Sequence, residues 1–295
     1  MTELLQQLVD GIGRGSIYAL LALGIAVIFG VMHLVNFAHG ELITVSAYVS
    51  YALFTLGLDW WALVPAILVS SMLTALGIEF AAFRWVRNSS DFTMVLTSFG
   101  VHFVVQALFI MGVSANRRTF ARPSWLFETV SVGGVNLEIY DLAVIGFTLV
   151  TLAGTVWLVR RTMFGMTLRA AAEDFEAARL MGVRSNRVIR GAFVLSGILA
   201  GVASVFWLMR TGQADPTAGL TPMLKGVLAA LIGGLGSLGG AVLGGLALGL
   251  VEVLLISRLP DGLVGLTDGM VFVCIALLFV FRPQGMVTIR RAERV

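Results

Sequence analysis

Charged residues are scarce in this sequence. Aspartate, glutamate, lysine and arginine make up 13% of the 295 residues, whereas they contribute about a quarter of an ordinary soluble domain. Hydrophobic residues make up 58%, and the mean hydropathy is +0.94. This composition excludes an ordinary soluble domain and indicates an integral membrane protein. Apolar runs recur along nearly the whole chain, so we expect one transmembrane domain over residues 1–295.

Cysteine and histidine are almost absent. The one cysteine, Cys274, excludes an intramolecular disulfide. The three histidines and this cysteine lack the spacing of metal ligands, so we predict no metal, no other cofactor and no catalytic residue. The glycine-rich stretch after Gly233 is not followed by Gly-Lys-Ser or Gly-Lys-Thr, which excludes a nucleotide-binding loop there.

Long apolar runs are the dominant pattern. A helix needs roughly 17 to 25 apolar residues to cross a bilayer, and the runs predict an all-α polytopic fold with about eight to ten transmembrane helices. The run at 223–235 is short, which predicts a tilted or half helix that ends in a break at Gly233 to Ser237. The candidate segments are 11–31, 38–57, 61–83, 92–112, 140–159, 190–209, 223–235, 237–256 and 266–281.

Arginines indicate the orientation of these segments, because cytoplasmic loops of membrane proteins carry an excess of them. We therefore interpret the net charge of +3 as a topology signal and expect no nucleic acid partner. The pattern predicts that the loop 160–190 and the C-terminus are cytoplasmic. Alternation of the segments then makes 113–139 external, although this stretch also contains three arginines, and the side of the N-terminus stays undecided. The arginines concerned are Arg160, Arg161, Arg169, Arg179, Arg184, Arg187 and Arg190 in the loop, and Arg282, Arg290, Arg291 and Arg294 at the end.

The stretch HLVNFAHGEL, from His33 to Leu42, places polar residues between two apolar runs. Asn36, His39 and Glu41 are costly at membrane depth unless they are paired or hydrated. One interpretation is a broken helix beside the translocation path, with Asn36 and His39 offering hydrogen bonds and Glu41 close to a helix start. The other is a capping and packing joint that satisfies the freed backbone groups.

Isolated polar residues mark two further places. Ser98, His102 and Gln106 recur at i, i+4 and i+8, so they share one helix face that either lines a passage or bonds a neighbouring helix. The break at Gly233, Gly234, Gly236 and Ser237 corresponds loosely to the break at 33–41, as an internal inverted repeat requires.

Three charged residues lie within or beside apolar segments. We expect Glu79 and Lys225 to extend towards the membrane surface. Glu252 lies deeper, and we expect it to be paired or near the boundary.

The loop 160–190 contains the pattern of an amphipathic helix over about 168–181. Its acidic residues disfavour contact with an anionic lipid surface, and its alanine-rich face suits close protein contact better than insertion into lipid. We therefore favour docking to a protein partner over a helix that lies on the membrane. The apolar positions at helical spacing are Leu168, Ala171, Phe175 and Ala178, and the acidic residues are Glu173, Asp174 and Glu176.

Four stretches together resemble the permease subunits of high-affinity branched-chain amino acid ABC importers, of the permease type with the NFAHGE motif. The resemblance implies a type II-like ABC importer permease in the bacterial inner membrane that translocates branched-chain or other hydrophobic amino acids. The stretches are GSIYALLALGIAVIFGVMHLVNFAHGE (15–41), RAAAEDFEAARLMGV (169–183), AALIGGLGSLGGAVLGGLALGLVEVL (229–254) and FRPQGM (281–286).

The resemblance also implies partners. These are a second homologous permease in a heterodimer, two cytoplasmic ATP-binding subunits, an extracytoplasmic substrate-binding protein and the lipid bilayer. ATP hydrolysis then belongs to the partner subunits, and this chain is not itself an enzyme. The positions that match the family's ATPase-coupling loop are Arg169, Ala170, Glu173, Asp174, Ala177 and Gly182. The candidates for the translocation path are Asn36, His39, Glu41, Ser98, His102, Gln106, Gly233, Gly234, Gly236 and Ser237.

Two alternatives to this function remain at the level of the sequence. The same permease type resembles importers of urea and short amides, which differ only in substrate. A passive channel or an ion-coupled carrier is a different class. A coupled carrier needs a deep ionisable site, for which Glu41 and Glu252 are the candidates.

Overall fold

The computed structural model describes residues 2–87, 89–132 and 134–281, so the C-terminal arginines and most of FRPQGM lie outside the described residues. The described chain is helical, with four very short strands. The helices are α1 (Thr2–Met32), α2 (Glu41–Thr55), α3 (Trp60–Val86), α4 (Asp91–Gly112), α5 (Ile139–Arg161), α6 (Met163–Glu173), α7 (Phe175–Leu180), α8 (Ser185–Thr211), α9 (Leu220–Gly233), α10 (Leu238–Ile256) and α11 (Thr267–Phe281). The strands are β1 (Arg118–Thr119), β2 (Thr129–Val132), β3 (Val135–Glu138) and β4 (Gln213–Ala214).

The expected all-α polytopic fold is confirmed, and each predicted apolar segment corresponds to one helix. Six helices of the described chain are long and apolar enough to cross a membrane, namely α1, α3, α4, α5, α8 and α10. The helices of the other three predicted segments, α2, α9 and α11, have 15, 14 and 15 residues. The prediction of a half helix at 223–235 is therefore correct.

Helix α1 is the centre of the bundle, and it packs against α8, α9 and α10. Glycines allow α1 and α10 to approach backbone to backbone in antiparallel orientation. A Cβ on Gly15 would lie 2.8 Å from the Cα of Leu246, and one on Gly249 would lie 2.5 Å from the carbonyl oxygen of Gly11. Small residues at spacings of four thus have the packing role that the sequence suggested.

The bundle has two distinct ends. At the end that we call the strand end, β1 pairs with β4, β2 pairs with β3, and the Gln6 side chain donates to the carbonyl oxygen of Asn136 at 2.8 Å. The start of α1, the segment 113–138 and the end of α8 therefore lie towards one end. At the opposite end, which we call the hairpin end, α6 and α7 connect α5 to α8.

The prediction of one helix over about 168–181 is wrong. The loop contains two helices, α6 and α7, because Asp174 is extended (φ −154°, ψ 104°) and its side chain caps the second helix. The Asp174 carboxylate accepts a hydrogen bond from the Ala177 N–H at 2.9 Å, which competes with continuation of the first helix. The predicted end of the helical segment near 181 is correct, because α7 ends at Leu180 and Gly182 has a φ of +88°.

Candidate functional site

The break after α1 is a short irregular segment that turns the chain back into the bundle. His33 adopts a positive φ of 55°, which is uncommon for a residue other than glycine, and Phe37–Gly40 form a single 3-10 turn. Asn36 caps this turn, because its side-chain oxygen accepts from the Ala38 N–H at 3.0 Å. The Asn36 side chain thus satisfies a backbone donor that the break leaves free.

His39 lies between α1 and α8 with none of its surface exposed. Its Nδ1 is 3.3 Å from the Ser196 hydroxyl, and a Cβ on Gly24 would lie 3.1 Å from its ring. Gly24 therefore leaves the space that the imidazole fills. Nε2 of His39 is buried and has no hydrogen-bond partner in the described chain.

Glu41 begins α2 and meets α4 across the break. Its Oε1 lies 2.6 Å from Nδ1 of His102, and both side chains are buried. Ser98, one turn earlier on α4, accepts from the Phe37 N–H at 3.2 Å. Two members of the polar stripe on α4 therefore join the break, whereas the third, Gln106, is half-buried and forms no side-chain hydrogen bond with the described residues.

Helices α2 and α9 begin at nearly the same point, deep in the bundle. The Gly219 N–H donates to the Thr44 hydroxyl at 3.2 Å, and a Cβ on Gly40 would lie 2.7 Å from the carbonyl oxygen of Gly219. Neighbouring His39 packs against Gly24, well inside the apolar part of α1. The first turns of two half helices, whose N–H groups favour negative charge, therefore converge inside the membrane region.

The second break separates α9 from α10. Gly234 and Gly236 have φ values of +90° and +87°, which only glycine adopts readily, and Ser237 caps α10 by accepting from the Gly240 N–H at 3.0 Å. Gly233 packs directly on the backbone of Gly240. Both halves of the chain thus contain a break, as the expected inverted repeat requires, and the repeat itself stays a prediction.

The sequence did not reveal a buried ion cluster between α1, α9, α10 and α11. Glu252 accepts from the Tyr18 hydroxyl at 2.7 Å and from Lys225 at 3.0 Å, and its other oxygen lies 3.2 Å from Arg14. Lys225 also lies 2.8 Å from Asp268. The expectation that Glu252 is paired is confirmed. The expectation for Lys225 is wrong, because the residue is only 3% exposed and its ammonium points to these carboxylates instead of the surface.

Glu79 forms a second buried ion cluster at the hairpin end. Its carboxylate lies 3.2 Å from Arg87 and 3.7 Å from Arg190, and the residue is 1% exposed. The expectation that Glu79 extends to the surface is therefore wrong, because arginines from α8 and from the end of α3 reach it instead. Residues 79–83 form a π turn within α3, a feature that often accompanies functional sites.

Helices α6 and α7 present one buried and one exposed face. Leu168, Ala171 and Ala178 are buried against the bundle, as their spacing predicted. Two large apolar residues at the end of α7 are nearly fully exposed, Leu180 at 89% and Met181 at 85%. Among the positions expected to contact an ATPase, Asp174 is half-buried, and the exposed ones are Arg169, Ala170, Glu173, Ala177 and Gly182.

Comparison with known proteins gives consistent results along the chain. The family model described as "Branched-chain amino acid transport system / permease component" matches residues 7–280. The chain is 30% identical over 306 residues to the high-affinity branched-chain amino acid transport system permease protein BraD of Pseudomonas aeruginosa, with 99% of this chain and 98% of that protein covered. It is also 30% identical over 305 residues to the permease protein LivH of the same kind of system in Escherichia coli K12, with 99% and 97% covered.

A more distant similarity is found with the autoinducer 2 import system permease protein LsrC of Escherichia coli, at 30% identity over 41% of this chain. Among solved structures, an ABC transporter of metal-chelate type in an inward-facing conformation aligns with 94% of this chain and 84% of its own. The TM-score is 0.49 and the sequence identity is 19%.

Proposed function

Because the chain belongs to the family of branched-chain amino acid transport system permease components, we propose that it translocates branched-chain or other hydrophobic amino acids as the membrane subunit of an ATP-driven importer. The observation that carries this proposal is the similarity to amino acid permeases over nearly the full length of both proteins. The importer would reside in the bacterial inner membrane.

The hairpin of α6 and α7 is the proposed contact with an ATP-hydrolysing subunit. The chain has no nucleotide-binding loop of its own, so the energy has to come from a partner. Leu180 and Met181 are exposed, and the charged residues Arg179 and Arg184 beside them in the chain are exposed as well. Exposed apolar residues with a polar rim are typical of protein interfaces. Helix α6 packs against α1, α5 and α8, which gives the partner mechanical access to the centre of the bundle.

The two ends of the bundle would face different partners. Two ATP-binding subunits dock at the hairpin end on the cytoplasmic side, and a substrate-binding protein delivers the amino acid at the strand end. A second homologous permease completes the membrane part, as the resemblance implies. The arginines of the 160–190 loop support the cytoplasmic position of the hairpin end.

The buried carboxylates give little support to an ion-coupled carrier. Glu252 is surrounded by Lys225, Arg14 and the Tyr18 hydroxyl, so its charge is compensated within the bundle. Glu41 is paired with His102. A coupling site needs a carboxylate that exchanges its ion during transport, whereas these two are engaged in contacts that hold helices together.

Reconstitution tests the proposal. The permease, its partner permease, both ATPases and the binding protein are assembled in vesicles, and uptake of radiolabelled leucine is compared with uptake of urea and acetamide. We expect leucine uptake that requires ATP. Uptake that persists without ATP contradicts an ATP-driven importer. Uptake of urea in preference to leucine contradicts the proposal that the substrate is an amino acid.

The coupling hairpin is tested in the same assay with the pair Glu173→Ala and Asp174→Asn. Asparagine caps a helix as well as aspartate does, so this pair removes charge from the proposed interface without removing the cap of α7. We expect uptake and leucine-stimulated ATP hydrolysis to fall together, while the permease stays assembled in the membrane. Asp91→Asn, at an exposed position in the first turn of α4 outside the hairpin, is the control. Unchanged uptake in the pair contradicts the proposed contact.

A further inference from the structure

A polar cavity of about 430 Å³ opens at the strand end, between α1, α5, α8 and α10. Asp10 and Arg14 of α1 line it, together with Asp141 of α5 and Arg210 of α8. Val253 and Ile256 of α10 form an apolar part of the wall. The volume lies within the range of about 300 to 1,000 Å³ that is typical of small-molecule sites.

Asp141 is the unusual residue of this cavity. It is 5% exposed, and its Oδ1 has no hydrogen-bond partner in the described chain. Among the described residues, the nearest cation is Arg210, whose Nη1 lies 3.9 Å away, beyond hydrogen-bond distance. The position in the first turn of α5 favours a negative charge but supplies no donor to Oδ1. The carboxylate is therefore buried with its acceptor capacity unused.

Two more buried polar atoms beside the cavity have no hydrogen-bond partner among the described residues. They are Oε1 of Gln7 and Nε of Arg14, and both residues line the cavity. Arg14 directs its Nη1 to Glu252, which fixes the guanidinium while its Nε stays free. Native proteins seldom leave several buried polar atoms unpaired in one place, and a bound molecule with donors and acceptors would satisfy them.

The arrangement of charges indicates what kind of molecule fits. The carboxylates of Asp10, Glu138 and Asp141 suit an ammonium group, and the guanidinium group of Arg210 suits a carboxylate. Arg14 also lines the cavity and is paired with Glu252. Val253 and Ile256 offer an apolar surface to an aliphatic side chain. We propose that this cavity binds the zwitterion of a free α-amino acid with an aliphatic side chain, as a receiving site at the strand end. This proposal rests on the proposed function, since it names where the substrate first contacts the permease.

Thiol labelling of the full-length chain in lipid nanodiscs tests the site directly. The native Cys274 is exposed, so it is replaced by serine, and Ser257→Cys is introduced at the rim of the cavity, where the residue is also exposed. We expect L-leucine to slow the labelling of this cysteine about threefold at a concentration near twice its Kd. Asn116→Cys, exposed at the same end but outside the cavity, should label at an unchanged rate.

Two analogues separate the charges of the ligand. Leucinamide keeps the ammonium group without the carboxylate, and 4-methylpentanoate keeps the carboxylate without the ammonium group. Each should protect Ser257→Cys much less than leucine does. In Asp141→Asn, leucine should protect no better than 4-methylpentanoate; in Arg210→Gln, it should protect no better than leucinamide. If Asp141→Asn fails to fold, the comparison of leucine with the two analogues in the Ser257→Cys variant alone still tests whether both charges of the ligand are recognised.

Two results overturn the inference. One is the absence of protection by leucine up to its solubility limit. The other is equal protection by leucine and both analogues, which indicates only unspecific binding to an apolar surface. Uptake by the assembled importer is measured separately. Leucine uptake without protection at Ser257→Cys contradicts only the proposal that the cavity binds the amino acid. Absence of ATP-dependent leucine uptake contradicts the proposed function.

Discussion

Asn36 illustrates how one side chain makes a break in a membrane helix tolerable. The end of α1 and the 3-10 turn at Phe37–Gly40 leave backbone N–H groups without helical partners, and no water replaces them in hydrocarbon. The side-chain oxygen of Asn36 accepts from one of them, the Ala38 N–H. The Ser98 hydroxyl accepts from another, the Phe37 N–H. Polar side chains thus accept hydrogen bonds from backbone N–H groups that have no partner within a helix.

Replacement of Asn36 tests this capping role. We expect Asn36→Ala to destabilise the permease by about 1 kcal/mol, the usual cost of losing a capping side chain. Asn36→Ser should keep most of the stability, because serine also caps. Thermal unfolding of the purified permease in detergent measures both.

Transport per assembled importer separates capping from substrate contact. If Asn36 acts as a cap, Asn36→Ser transports leucine at nearly the normal rate. A serine variant that is stable and assembled but loses transport would show instead that the amide group faces the translocation path. The two interpretations of the NFAHGE stretch are thereby distinguished.

At the residue scale, the sequence showed which polar positions are unusual in a membrane chain, but not which residues contact them. The cost of a buried amide, imidazole and carboxylate marks Asn36, His39 and Glu41 as unusual from composition alone. Their contacts with Ser98, His102 and Ser196 are tertiary, and His39 and Ser196 are 157 positions apart in the chain. The cluster around Glu252 was missed for the same reason, since each of its members looks like an isolated charge in the sequence.

Helices were predictable from the sequence where a continuous apolar run determines them. A run of about 20 apolar residues needs no tertiary information, and each of the nine predicted segments has its helix. The division between α6 and α7 was missed because the residues around Asp174 are good helix formers throughout. Only the backbone contact of the Asp174 carboxylate with Ala177 shows that capping replaces continuation there.

Glycines in α10 allow a matched test of helix packing. A Cβ on Gly249 would lie 2.5 Å from the carbonyl oxygen of Gly11, whereas one on Gly239 would meet no atom of the described residues within 4 Å. We expect Gly249→Ala to destabilise the bundle by about 1 to 3 kcal/mol, because the backbones of α1 and α10 have to separate.

Gly239→Ala in the same helix is the control for that substitution. It should leave the midpoint of thermal unfolding unchanged or raise it slightly, because alanine favours the helix. Equal effects of the two substitutions would mean that close packing of α1 on α10 is not what these glycines provide.

On the scale of the whole molecule, a few contacts hold the start of α1 and the segment 113–138 at the same end of the bundle. The Gln6 side chain bonds the backbone of Asn136, and it also receives a hydrogen bond from the Asn136 N–H at 2.8 Å. The start of α1 is thereby held against the segment 113–138. The sequence left the side of the N-terminus undecided because the break at 33–41 could be a loop outside the membrane or an interruption within it. The structure has an interruption, with His39 and Glu41 buried in the bundle.

The orientation of the whole permease follows from this arrangement and can be measured. If the arginine-rich loop 160–190 is cytoplasmic, the start of α1 is external, because it lies at the strand end. In intact cells that carry Cys274→Ser and lack the proposed ATP-binding subunits, which would cover the hairpin, we expect a membrane-impermeant thiol reagent to label Glu3→Cys and Asn116→Cys. It should label Glu176→Cys, on the exposed face of α7, only after the cells are permeabilised. Glu3→Cys that reacts together with Glu176→Cys would contradict this topology, because the hydrogen bonds of Gln6 with Asn136 keep the start of α1 at the end opposite the hairpin.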